Sequence, residues 1–168
     1  LRFPQGSGYN IRVREYPKVP PRLGWIFPHN PVFFITFCTY HRKKFLASDR
    51  IHAAFIAFAI HAYSERNIVV GRYVIMPDHI HLFRRGPDDF QLGRWIALLK
   101  QNLGKQIAPA RTSPLWQRGF FDHVLRSDES YAQKWNYVRQ NPVRAGLVEN
   151  ADDWPYSGEL VVIDRAWL

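Results

Sequence analysis

Strand, helix, strand, strand, helix and strand follow one another along this chain of 168 residues. That order predicts an α+β domain of the ferredoxin-like, split β-α-β kind: an antiparallel sheet with helices on one face, followed by an extra C-terminal helix. Three observations carry the prediction. A continuous apolar and β-branched run occupies residues 32–39, two long segments repeat their apolar residues at helical spacing, and Pro77-Asp78 separates two strand-like runs. The sheet face away from the helices is then free to bind a ligand.

Residues 1–30 are rich in Pro, Gly and Arg and have no hydrophobic period, so they read as a basic arm ahead of a single domain at 31–168. Val32-Phe33-Phe34-Ile35-Thr36-Phe37-Cys38-Thr39 has the composition of a buried central strand. Cys38 is the only cysteine, has no partner for a disulfide, and is expected in the core. His41-Arg42-Lys43-Lys44 forms a basic loop. Ser48 is a suitable cap for a helix carrying Ile51, Phe55, Phe58 and Ala62 on one side and ending near Asn67. A strand through Ile68-Val69-Val70 and Arg72 to Met76 turns at Pro77-Asp78 and returns from His79 to Arg84. A second helix is expected from Asp88 or Asp89 to about Ile107, with Leu92, Trp95, Leu99 and Leu103 inward and Pro109 stopping it. Leu115 to Leu125 reads as a strand with an irregular start. Ser127, with Asp128 and Glu129 behind it, suits the start of a third helix, where the dipole favours negative charge. The tail from Ala151 carries Trp154-Pro155-Tyr156 and is expected to fold back on the domain.

Lys and Arg number 23 against 14 Asp and Glu, for a net charge of +9 and a pI near 10.0. Such an excess points to a polyanionic partner, most commonly nucleic acid. Aromatic residues make up 15% of the chain and include six tryptophans, some of which could stack on unpaired bases. No apolar run reaches the roughly 18 residues of a membrane span, no lipidation motif is present, and the N-terminus lacks a signal-peptide core, so no membrane partner and a cytoplasmic location are expected.

His79-Ile80-His81 is the most informative motif. In an extended strand alternate side chains share a face, so the two imidazoles sit about 7 Å apart at their Cα atoms and can converge on one cation. Taken alone the pattern more often describes two histidines on a wet sheet face. A second element adds to it. On the third helix Tyr131, Trp135 and Val138 form the apolar stripe, whereas Tyr137 lies off it and shares a face with Asn141, near Lys134. His-Glu-x-x-His is absent, as is the His-x-Glu with Cys-x-x-Cys of deaminases, which argues against zinc chemistry.

Over roughly residues 32–157 the chain resembles the single-tyrosine HUH endonucleases and transposases, and among them the REP-associated tyrosine transposases. The blocks are Phe33-Phe34-Ile35-Thr36, Val74-Ile75-Met76-Pro77-Asp78-His79-Ile80-His81, Trp116-Gln117-Arg118-Gly119-Phe120-Phe121-Asp122-His123, and Tyr137-Val138-Arg139-Gln140-Asn141-Pro142-Val143-Arg144-Ala145-Gly146-Leu147-Val148, with the Trp154-Pro155-Tyr156-Ser157 tail. The resemblance implies that His79 and His81, with Asn141 as third ligand, hold one Mg2+ or Mn2+, and that Tyr137 is the nucleophile. It implies a transposase that cuts single-stranded DNA beside a REP-like hairpin, forms a 5′-phosphotyrosine link and rejoins strands without ATP. It also implies a monomer rather than a homodimer, and a bacterial, nucleoid-associated setting.

The same residue types make chemical sense. A cation on the non-bridging oxygens offsets charge growing at a phosphodiester under attack. Two neutral imidazoles and an amide leave coordination sites open. A free tyrosine ionises near pH 10, so about one in a thousand is phenolate at neutral pH and help is needed. Arg12, Arg14, Arg42, Lys43, Arg118, Lys134, Arg139 and Arg144 are the candidate DNA contacts. One departure concerns Asn141: insertion-sequence relatives often carry glutamine there, one methylene longer, and Pro142 disfavours helical geometry at Asn141. Two rivals remain open from the sequence. One is a non-catalytic single-stranded nucleic-acid-binding module on a ferredoxin-like sheet, although the aromatic-glycine signature of RNA-recognition domains is missing. The other is a phosphodiesterase using water, and Tyr131 is the rival nucleophile.

Overall fold

A computed structural model describes residues 32–87, 91–107, 114–125 and 131–163. Its regular elements are β1 (Val32–Cys38), α1 (Asp49–Arg66), β2 (Val69–Ile75), β3 (His79–Arg85), α2 (Leu92–Gly104), β4 (Phe121–Leu125), α3 (Tyr131–Arg139), the short α4 (Asn141–Arg144) and β5 (Ser157–Glu159). The strands form one antiparallel sheet in the order β4-β1-β3-β2-β5. The first four strands give the expected split β-α-β topology, and β5 extends it at the β2 edge.

Alternation in β1 sorts the two faces. Ile35 and Phe37 point into a core shared with Ile51, Phe55 and Ala59 of α1 and Trp95, Leu99 and Leu103 of α2. Ser48 caps α1 by accepting a hydrogen bond from the Ile51 N–H at 3.4 Å, and Asn67 ends the helix in the left-handed conformation that asparagine tolerates. His52 lies within this layer, its Nε2 2.7 Å from the Tyr73 hydroxyl. Burial holds the His52 pKa down at about 4, so the ring is neutral at pH 7.

Val32 and Phe34 point the other way, into a second core with Val74, Phe83 and Leu125. Here the expectation of a free sheet face is corrected. The two long helices do share one face, but α3 lies across the opposite face, burying Tyr131 and Val138 there with Trp135 packed alongside. A bulge in β2 between Val70 and Tyr73 provides the seat. A Cβ on Gly71 would stand 2.9 Å from the Tyr131 hydroxyl and 2.7 Å from Ile163, so only glycine lets the helix approach this closely. The Tyr131 hydroxyl also accepts from the Arg72 N–H at 3.2 Å, and Arg72 pairs with Glu159 of β5 at 3.1 Å.

The tail folds back as expected. Trp154 Nε1 donates to the Ile75 carbonyl at 3.0 Å, the Ile75 N–H donates to the Tyr156 carbonyl at 2.8 Å, and β5 then pairs with β2. The irregular start before β4 is a single bridge between Thr39 and Trp116. Cys38 departs from its core assignment: it is half-buried on the α3 face, where the Arg42 guanidinium donates to its sulfur at 2.8 Å. The basic arm with Arg12 and Arg14, the proposed start at Asp88 or Asp89, Pro109, and the Ser127-Asp128-Glu129 cap lie outside the described residues. No described helix is long and apolar enough to cross a membrane.

Candidate active site

The turn at Pro77-Asp78 is fixed by its neighbours. The Thr39 N–H donates to the Asp78 carbonyl at 2.9 Å, and the N–H groups of Phe45 and Leu46 reach the Pro77 carbonyl at 2.8 and 2.9 Å. From this turn β3 leaves with His79 and His81 on one face, paired in register with Cys38 and Thr36 of β1. Their rings meet edge to face, with centroids 4.6 Å apart.

Each imidazole is held at Nδ1. His79 Nδ1 lies 2.6 Å from Asp78 Oδ1, and because an ionised carboxylate only accepts, the ring donates there and Nε2 keeps its lone pair. His81 Nδ1 lies 2.7 Å from Thr36 Oγ1, a hydroxyl able to donate or accept, while Phe34 stacks on the ring at 5.5 Å. Burial lowers the pKa of both histidines, that of His81 to about 3, with the charges of His79, Arg42 and Arg144 adding to the effect; the Asp78 carboxylate acts in the opposite sense. Two neutral rings, each engaged at Nδ1, can offer their Nε2 atoms to a divalent ion. Among the described residues no group of three His, Cys, Asp or Glu side chains is gathered here.

The helix α3 lies on this same sheet face. Tyr131 is only 7% exposed and packs its ring on Phe83 at 4.6 Å. Tyr137, further along the helix, is 66% exposed. Lys134 places its Nζ 5.4 Å over the Phe34 ring, the ring that stacks on His81. Arg144 stacks on Tyr137 at 4.3 Å, donates to the Tyr137 carbonyl at 2.8 Å, and donates to Asn141 Oδ1. Asn141 opens α4, with Pro142 tolerated in the first turn where an N–H has no intrahelical partner.

The remaining candidates separate. Arg42 is tied to Asp78 at 3.0 Å and Arg139 to Asp152 at 2.6 Å, whereas Lys43 and Arg118 are exposed in loops. Three side chains at the site were not singled out from sequence. Asp78 was read only as a turn residue, although an acid directly before His-x-His is a visible signal. Thr36 lies 45 residues from its partner, and only strand register brings them together. Phe121, paired with Thr36 from the other side, is 60% exposed on the histidine face, an unusual position for a phenylalanine.

The chain is similar to several known proteins. Residues 30–141 match the family described as Transposase IS200 like. A Haemophilus influenzae protein with the provisional name REP-associated tyrosine transposase is 31% identical over 145 residues, covering 78% of this chain and 81% of the relative. The REP-associated tyrosine transposase of Escherichia coli K12 is 31% identical over 97 residues, 55% of each chain. Among solved structures, a REP-associated tyrosine transposase bound to a REP hairpin superposes with a TM-score of 0.63 at 22% identity, over 76% of this chain and 75% of that one, a likeness of fold.

Proposed function

This chain belongs to the IS200-like transposase family, among the REP-associated tyrosine transposases, and from that premise we propose that it cuts and rejoins single-stranded DNA beside a REP-like hairpin through Tyr137. The observation that carries the reading is the pair of Nε2 atoms on one sheet face, each ring fixed at Nδ1, with α3 packed on that same face. His79 and His81 would hold Mg2+ or Mn2+, Asn141 being the further ligand from α4. When bound, the cation would withdraw charge from the non-bridging phosphate oxygens.

The chain's own residues supply the rest. Asp78 and Thr36 keep the imidazoles in the right tautomer and orientation. Tyr137 presents its hydroxyl from the exposed side of α3. Its oxygen bonds to phosphorus as the bond to the 3′ oxygen breaks; the phenol loses a proton and the departing oxygen gains one, leaving a 5′-phosphotyrosine and a free 3′-OH. Attack by a 3′-OH on that link reverses the step, so the bond energy is kept. Lys134, Lys43 and Arg118 would meet the backbone, and Phe121 would offer a ring to a base. With α3 on the sheet of its own chain, Tyr137 would serve the histidines in cis and a monomer would suffice.

Incubation with labelled hairpin DNA and Mn2+, followed by a denaturing gel, tests this. A covalent adduct absent from Tyr137→Phe is expected. Binding without an adduct would instead favour the non-catalytic module, and cleavage surviving Tyr137→Phe would favour attack by water.

A further inference from the structure

Between β1 and α1 the chain doubles back against the Pro77-Asp78 turn through two consecutive residues in the left-handed region, His41 at φ 52° and Arg42 at φ 55°. Glycine adopts that conformation freely, whereas these two side chains strain it. Such strain persists where surrounding contacts over-determine it, and it gathers at functional sites. The fully buried Thr39 supplies one contact, its N–H meeting the Asp78 carbonyl at 2.9 Å, and the Phe45 and Leu46 N–H groups supply two more on the Pro77 carbonyl at 2.8 and 2.9 Å. One guanidinium placement results. Arg42 Nη1 donates to Cys38 Sγ at 2.8 Å and its Nε pairs with Asp78 Oδ2 at 3.0 Å, while Asp78 Oδ1 accepts from His79 Nδ1 at 2.6 Å. Cys38 is itself the β1 residue in register with His79.

Resting on the reading of His79 and His81 as cation ligands, we propose that Arg42 is a positioning residue: it ties Asp78 to the strand beside His79 and so locks the carboxylate that keeps the His79 proton on Nδ1 and the Nε2 lone pair available. A carboxylate with one oxygen unheld turns about its side-chain bonds and shares its hydrogen bond with water. With both oxygens held it has one orientation to offer. Charge alone predicts the opposite outcome from orientation, because a guanidinium near a dication repels it and its removal would tighten the cation. Orientation predicts that removal weakens the cation. Arg42 is thereby set apart from Lys43 and Arg118, whose assigned partner is the DNA backbone.

The test is Arg42→Gly, which removes the guanidinium and the backbone strain together, so the melting temperature is not expected to fall. Mn2+ affinity without DNA, read from the free-ion electron paramagnetic resonance signal, is expected to weaken about tenfold, the lower end of what outer partners of a metal ligand contribute. In an Asp78→Asn background, where no carboxylate remains to be held, the same substitution is expected to change it less than about twofold. Hairpin DNA binding in EDTA is expected to stay within about twofold of the parent, whereas a lost phosphate contact would weaken it and flatten its salt dependence. Unchanged or tighter Mn2+ binding overturns the proposal, as does an equal loss in the Asp78→Asn background or weakened DNA binding in EDTA. Arg42→Lys, which keeps the charge without the planar fork, serves if glycine loosens the loop, and it too should weaken Mn2+. The 15N shifts of the His79 ring in metal-free protein ask the same question without a cation: one Nδ1-protonated form is expected in the parent and a mixture of tautomers in Arg42→Gly, and an unchanged single form in the variant overturns the proposal. A parent that binds no Mn2+ would refute the cation reading, and the tautomer ratio would still decide the role of Arg42.

Discussion

Asp78 stands next to the histidine it orients, and its other oxygen holds Arg42 at 3.0 Å. A carboxylate on Nδ1 fixes the tautomer and raises the basicity of the opposite nitrogen. Asp78→Asn keeps the shape and removes the charge, so Mn2+ affinity is expected to fall by about 10- to 100-fold while circular dichroism stays unchanged. Unchanged affinity would mean that the carboxylate serves only the turn. Among residues, what the sequence displays depends on how local the pairing is. The histidine pair is legible because strand alternation is a property of neighbours, and Tyr137 because three stripe residues define the other side of its helix. Thr36 is not legible as a partner of His81, since nothing within the strand 32–38 indicates which residue of β3 will lie opposite.

At the scale of elements, the decisive contact is α3 on the β2 bulge. Gly71→Val would drive a branched side chain into Tyr131 and Ile163, so a loss of about 1–3 kcal/mol in stability is expected by denaturant unfolding, together with loss of the DNA adduct as α3 shifts. Retained stability and adduct would show that the helix has another anchor. Phe121 belongs to this scale too, because strand pairing alone brings it beside Thr36 and His81. Phe121→Ala is expected to weaken single-stranded DNA binding by about 1–3 kcal/mol, and Phe121→Trp to retain it, in a fluorescence titration. The periodicity of α1 and α2 made their inward faces readable. The strand β5 was not: Ser157-Gly158-Glu159 has no strand pattern and becomes one because the open edge of β2 supplies partners for its backbone.

The whole molecule responds to pH through its buried histidines. His52 has its pKa lowered from 6.5 to about 4 by burial, and His81 to about 3. Between pH 6.5 and 4 the unfolded chain binds protons that the fold refuses, so stability is complete above pH 6.5 and falls as pH drops through that window. The His52 part amounts to at most about 3 kcal/mol, and His52→Gln is expected to flatten the fall of the melting temperature from pH 7 to pH 4. A slope equal to that of the parent would remove His52 as its source. A second whole-molecule prediction concerns the active unit. Mixing Tyr137→Phe with a His79→Ala, His81→Ala chain is expected to restore no adduct, whereas exchange of helices in a dimer would restore it. By itself the sequence determined the split β-α-β order, the shared face of the two histidines and the cationic character, because periodicity, turn chemistry and net charge are written in short stretches or in sums. Only the tertiary structure decided which sheet face α3 would cover, that Thr36 would hold His81, and that Arg144 would engage Asn141. An apolar stripe specifies that a helix must be buried, but its destination is set by a bulge and a glycine far away in the chain, Gly71 against Tyr131.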